Sequence, residues 1–157
     1  MKSRLPQLPL RLDAELPDTD ARWSAGGCVA HLGSTLTLIL DTTCREPTRV
    51  AGELHLPLPP AATPRQIRDA AESWLREEAR RTFAAILAQK SALAGRRSPA
   101  IVLAFGKRSD WVRSEGEALR CHWRLIEQSP AVVEQVLGCA LNSWQPAPTC
   151  DDLFALV

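Results

Sequence analysis

Residues 63–95, TPRQIRDAAESWLREEARRTFAAILAQKSALAG, decide the fold. Thr63, Pro64 and Gln66 form a helix start, with Thr as the N-cap, Pro at the first helical position and Gln as the third residue of a capping box. Apolar side chains then recur every three or four residues, which predicts an amphipathic helix of about 28 residues that ends near Gly95. At a rise of 1.5 Å per residue this helix is roughly 42 Å long and crosses the whole domain.

Strand patterns lie on both sides of this helix. Upstream, residues 35–40 alternate Thr and Ile with Leu, and residues 50–58 place Leu54 and Leu56 on one face of a partner strand. Downstream, residues 100–105 form a short apolar run that predicts a strand, and residues 119–126 predict another. The polar residues 107–116 predict a loop between them. The expected class is therefore α+β, with N-terminal antiparallel hairpins, one long helix and a small sheet.

A second helix is predicted after Ser129 and Pro130, with an apolar stripe that runs from Val132 to Trp144. Pro146 and Pro148 end it, and residues 149–152 are suited to cap a short C-terminal helix. At the other end, residues 1–21 are rich in Pro, Asp and Leu without a clear period and predict an irregular arm. Residues 22–157 then form one domain.

Composition excludes several classes of protein. The chain has 157 residues and a net charge of +1, and no stretch approaches the ~20 apolar residues of a membrane span. The N-terminus is broken by Pro6 and Pro9 and lacks the apolar core of an export signal. Five cysteines without a CxxC pair do not suggest a disulfide framework. A reduced cytoplasmic setting without membrane contact is expected.

Charge is unevenly distributed along the chain. Residues 61–126 hold 13 Lys or Arg against 7 Asp or Glu, whereas residues 127–157 hold 4 acidic residues and no basic one. A solvated helix face accounts for such a pattern, and a groove for nucleic acid or another polyanion is the alternative. The candidate polyanion-binding residues are Arg96, Arg97, Lys107, Arg108 and Arg113.

The C-terminal third resembles a known family. The segment from His122 to Ile126, HWRLI, followed by Ser129-Pro130, by Leu141 within a helix and by Leu153-Phe154, is similar to the active-site region of the YgjP-like zincin metallopeptidase-type domains. These domains are related in turn to SprT-like and WLM domains. The resemblance implies a zincin-like fold over residues 22–157, with an active-site helix near the C-terminus.

The same resemblance implies that the active site is degenerate. On the ungapped alignment, the two His positions of the family's zinc-binding helix are Cys139 and Ser143, the Glu position is Ala140 and the third ligand position is Thr149. Zinc hydrolysis needs three ligands and a base that takes a proton from the bound water. Ala140 cannot accept that proton. No catalytic residue and no cofactor are therefore expected.

Three functional hypotheses follow from the sequence. The first is a catalytically inactive metallopeptidase-like protein that binds an unknown protein partner or acts as a scaffold. The second is a residual hydrolase with relocated zinc ligands, for which the candidates are Cys121, His122, Cys139 and Cys150. The third is a nucleic-acid-associated module. His122 is otherwise expected to face solvent from a strand or loop, and free cysteines usually behave as small buried apolar residues.

Overall fold

The computed structural model describes residues 21–107 and 110–146. Of the predicted arm, residues 1–21, only residue 21 belongs to these ranges. The predicted short C-terminal helix lies entirely outside them. The described elements, in chain order, are β1 (Cys28–His31), β2 (Ser34–Leu40), β3 (Thr48–Val50), β4 (Glu53–Leu56), α1 (Pro64–Leu93), β5 (Ala100–Ala104), β6 (Val112–Glu115), β7 (Ala118–His122), a 3₁₀ helix (Trp123–Glu127) and α2 (Pro130–Ser143). The α+β class is confirmed.

Helix α1 forms as predicted and is slightly longer, at 30 residues. The Thr63 side chain accepts from the Gln66 backbone N–H, and the Gln66 side chain accepts from the Thr63 N–H, so the capping box is complete. One side of the helix is buried along its whole length, from Ile67 to Ser91 at intervals of four residues. This stripe packs against β4, β5, the 3₁₀ helix and α2.

The first sheet has the strand order β1-β2-β4-β3. Antiparallel hairpins are present as predicted, but between strands that the sequence did not assign to each other: β1 pairs with β2, and β3 pairs with β4. The two hairpins join through a parallel pairing of β2 with β4 that the sequence did not predict. The predicted strand over residues 50–58 is wrong in extent, since the chain turns at Ala51 and Gly52 and only residues 53–56 belong to β4.

The second sheet has the order β5-β7-β6, with β5 parallel to β7 and β6 antiparallel to it. The prediction of a continuous loop over residues 107–116 is wrong because it missed β6. This strand carries Arg113, Ser114 and Glu115, which are all exposed, and it therefore lacks the apolar alternation on which strand prediction depends. A tight turn at Gly116, whose φ is +59°, connects β6 to β7.

The predicted strand over residues 119–126 ends early, at His122. The next five residues form the 3₁₀ helix, and the His122 Nδ1 accepts from the Arg124 backbone N–H as its N-cap (3.3 Å). His122 does not face solvent as expected; it is only 5% exposed, and its Nε2 donates to the Gly106 carbonyl (2.9 Å). The buried His122 therefore ends β7 and caps the 3₁₀ helix that follows.

Two contacts join the first sheet to the segment that precedes α2. The Leu32 N–H donates to the Ile126 carbonyl (2.7 Å), in the turn between β1 and β2. Gly33, with φ +72°, lies so close to Ser129 that a Cβ on Gly33 would be 2.9 Å from the Ser129 Cα.

Within the described residues, no helix combines the length and apolar character that a membrane span requires.

Candidate binding groove

A shallow open groove of about 390 Å³ lies between α2 and the start of β6. Its helical wall comes from the flank of α2 beside the buried side, which Val133, Leu137 and Leu141 occupy, and Val136 and Ala140 of this flank are half-buried. The other wall comes from the strand and the residues just before it. The lining residues are Asp110, Trp111, Val112, Gln135, Val136, Cys139, Ala140 and Ser143.

Strand β6 presents an edge along this groove that pairs with no other strand among residues 21–107 and 110–146. It is the outermost strand of its sheet, and the His122 N–H donates to the Trp111 carbonyl (2.8 Å). In an antiparallel pair, hydrogen-bonded positions alternate, so Arg113 and Glu115 also point their backbone groups at β7. The N–H and C=O groups of Val112 and Ser114 point the other way, where no strand of the described chain lies to receive them.

The position of α2 beside this edge is fixed at its C-terminal end. The Trp144 indole N–H donates to the Gly116 carbonyl (2.9 Å), which ties the end of the helix to the β6–β7 turn. The Arg96 guanidinium donates to the Trp144 carbonyl (2.7 Å) and to the Leu141 carbonyl (3.3 Å), which also accepts from the Trp144 backbone N–H. Trp144 itself is buried at 1% exposure.

The structure brings together three of the four residues that the sequence resemblance assigns to degenerate active-site positions. Cys139, Ala140 and Ser143 all line the groove. The Ser143 hydroxyl donates to the Ala140 carbonyl within the helix (3.0 Å), and the Cys139 thiol is exposed. Thr149 lies outside the described residues.

The proposed relocated zinc ligands that belong to the described residues, Cys121, His122 and Cys139, do not form a metal site. Burial raises the pKa of the Cys121 thiol to about 12, which opposes the thiolate that zinc needs. Both ring nitrogens of His122 are used in the hydrogen bonds described above. Cys150 lies outside the described residues. Across residues 21–107 and 110–146, no three His, Cys, Asp or Glu side chains are placed to hold a metal ion together.

The groove donors that are described do not fit zinc. Cys139 is the one strong ligand among the groove residues at the degenerate positions, because Ala140 has no donor and the Ser143 hydroxyl is a weak one. Asp110, which also lines the groove, already accepts from the Arg113 guanidinium (3.0 Å).

The candidate polyanion-binding residues are mostly engaged with other groups of the protein. Arg96 contacts the end of α2, Arg97 pairs with Glu117 (3.3 Å) and Arg113 pairs with Asp110. Lys107 is exposed and makes no ion pair with the described residues. Arg108 lies outside them. Lys107 and Arg113 line one small pocket, and neither Arg96 nor Arg97 lines it.

The groove residues on the strand side, which sequence reasoning missed, are Asp110, Trp111 and Val112. One local signal was available, because Gly116-Glu117 between two segments of similar length is typical of a two-residue hairpin turn. Which edge of the sheet stays open cannot be read from that signal, since it depends on the strand order.

The chain matches no model of a protein family, no curated protein and no solved structure. The similarity to YgjP-like domains therefore stays a prediction from the sequence.

Proposed function

We propose that this protein is a non-catalytic binding protein, of metallopeptidase-like ancestry, whose groove between β6 and α2 accepts an extended segment of a partner protein. The observation that carries the proposal is the open edge of β6, with the outward backbone groups of Val112 and Ser114 beside a groove. A strand added at such an edge gains main-chain hydrogen bonds, and the adjacent groove selects its side chains.

The chemistry of the groove favours binding over turnover. Its helical wall offers apolar surface at Val136 and Ala140 and one polar residue near each end, Gln135 and Ser143. No residue pair there combines a base with an activated nucleophile. Cys139 is exposed, but no histidine is among the lining residues to take its proton. The loss of the general base at Ala140 points the same way.

The groove is also largely formed before a partner arrives. Trp144 and Arg96 hold the end of α2, and β7 holds β6 along its inner edge. Because little of the protein has to become ordered on binding, the entropic cost is low, and a small interface can still give affinity.

The test is binding of an octapeptide of alternating valine and serine, followed through the backbone amide resonances of the protein. We expect the largest shifts at Val112, Ser114 and the groove side of α2. N-methylation of one set of alternate peptide residues should abolish binding, while methylation of the other set leaves it. Equal binding by both methylated peptides would show that no strand is added.

Two variants of α2 locate the site. Val136→Arg fills the groove and should abolish binding, while Val132→Arg, at an exposed position of the same helix, should not. Circular dichroism checks that both variants fold. The peptide should also stay intact during incubation with added zinc; cleavage that a chelator stops would overturn the non-catalytic half of the proposal.

A further inference from the structure

The second sheet has another edge, at β5, whose chemistry differs from that of β6. Within the described residues β5 pairs with β7 alone, without a break from Ala100 to Ala104. Its sequence, AIVLA, contains no polar, charged or proline residue, whereas β6 has two charged residues among its four. An uncharged edge of this kind pairs readily with another strand, and natural proteins normally cover it.

The backbone of β5 offers hydrogen bonds on its outer side. The Ala100 N–H donates to the Glu117 carbonyl (3.1 Å), on the side of β7. Because the backbone groups of successive strand residues alternate in direction, those of Val102 also point at β7, and those of Ile101 and Leu103 point away from it. No strand of the described chain lies on that outer side.

Apolar side chains are exposed along the same edge. Val102 is 39% exposed, and Phe105, the residue directly after the strand, is 56% exposed. These are two of the five large apolar side chains that are exposed among the described residues, so the edge concentrates apolar surface. Contiguous apolar surface on a folded protein marks an association site.

We infer that β5 pairs in antiparallel fashion with β5 of a second copy of this chain, about a two-fold axis at Val102. On such an axis Val102 faces Val102 of the second copy, and Ile101 of each copy faces Leu103 of the other. Ile101 and Leu103 are the residues whose backbone groups point outward, so each such pair forms both hydrogen bonds of an antiparallel ladder.

A second copy fits this edge because the strand is self-complementary. It carries alanine at both ends and a branched apolar residue on each side of Val102, so pairing brings no charge against another within the ladder. Pairing joins two three-stranded sheets into one of six strands, in the order β6-β7-β5-β5-β7-β6. Both β5 edges are then used, and the assembly closes as a dimer. The groove beside β6 stays free in each copy, so the inference does not depend on the proposed function.

The basic residues nearest the strand lie beyond its ends. Arg97 pairs with Glu117 (3.3 Å), and Lys107 is exposed. Antiparallel pairing brings these cations of both copies to the rim of the interface, where they repel weakly. Added salt screens that repulsion, so it should strengthen the association rather than weaken it.

The first test is sedimentation equilibrium of the full chain from micromolar to millimolar concentration. We expect the mass to rise from that of a monomer to twice that value and no further. Hydrogen exchange at the Ile101 and Leu103 amides should slow as the dimer forms. A monomer at every concentration would overturn the inference. So would protection of these two amides that does not depend on concentration, because another segment of the same chain would then cover the edge.

The second test exchanges charges on the proposed two-fold axis. Val102→Lys and Val102→Glu should each weaken self-association at least about tenfold, because like charges meet across the axis. An equimolar mixture of the two variants should restore the dimer. Val50→Lys, at an exposed valine on the edge strand β3 of the first sheet, is the matched control and should leave association unchanged.

Circular dichroism checks that the Val102 variants fold, and the exchange measurement on the wild type does not depend on them. Folded variants whose mixture stays monomeric would overturn the pairing about Val102. A dimer that persists in both Val102 variants, or that Val50→Lys abolishes, would place the contact on another surface and overturn it as well.

Discussion

Arg96 and Arg97 are adjacent in sequence but should differ clearly in their effect on stability. The Arg96 guanidinium donates to two carbonyls at the end of α2, whereas Arg97 makes one exposed ion pair with Glu117. Hydrogen bonds from a charged group are worth about 1.5–3 kcal/mol when well shielded. Because Arg96 is partly solvated, we expect Arg96→Ala to lower the free energy of unfolding by about 1–2 kcal/mol.

For Arg97→Ala the expected loss is below about 0.5 kcal/mol, since the side chains of its ion pair are 67% and 44% exposed. In thermal unfolding these values correspond to a fall in Tm of about 3–6 °C for Arg96→Ala and about 1 °C for Arg97→Ala. Urea unfolding of both variants at the same pH gives the free energies directly. Arg96→Lys serves as a second control and should recover part of the loss.

Equal destabilisation by the two alanine variants would refute the assignment of Arg96 as the residue that holds the end of α2. So would an Arg96→Ala effect that disappears in about 1 M salt, because hydrogen bonds to shielded carbonyls are screened far less than a surface ion pair.

Further predictions concern other parts of the molecule. Burial, with Arg49 adding to it and Glu78 opposing it, lowers the pKa of His31 from 6.5. The unfolded chain therefore binds more protons below that value, and the stability of the wild type relative to His31→Phe should fall as pH drops through 6.5 in urea titrations. With a maleimide reagent at neutral pH, the peptide containing Cys139 should be modified quickly and that containing Cys121 only on unfolding, as mass spectrometry can show. Gly33→Ala should destabilise by at least about 1 kcal/mol, because the backbone has positive φ and the new methyl group would meet Ser129; an unchanged urea midpoint would contradict this.

The parts of the fold that depend on local sequence were predictable. Helix α1 follows from a capping box and a long apolar stripe, and strand β2 follows from the alternation of Thr and Ile with Leu in residues 35–40. Strand β6 was not predictable in this way, because an edge strand with Arg113, Ser114 and Glu115 exposed has no apolar face to reveal it. The 3₁₀ helix was missed for the opposite reason, since Trp123, Leu125 and Ile126 are as apolar as a buried strand.

The candidate site was predictable only on one side. Residues 139, 140 and 143 were singled out together, and they do lie together, because their spacing places them on neighbouring positions of one helix. The opposite wall comes from β6, whose place at the edge of the sheet is set by the strand order. Strands β5 and β7 pair directly in parallel, which leaves β6, the strand between them in sequence, on the outside of β7. The order of the strands in a sheet cannot be read from individual residues.

An exposed strand edge also carries a hazard, because backbone groups that can receive a partner can equally receive another copy of the same chain and begin aggregation. Strand β6 limits this hazard in two ways. It is only four residues long, and its outward-facing charges, Arg113 and Glu115, discourage the close stacking of identical strands. The short length of β6 limits self-pairing, and it also limits a partner strand to a few backbone hydrogen bonds. Specificity for a partner must therefore come from the partner's side chains.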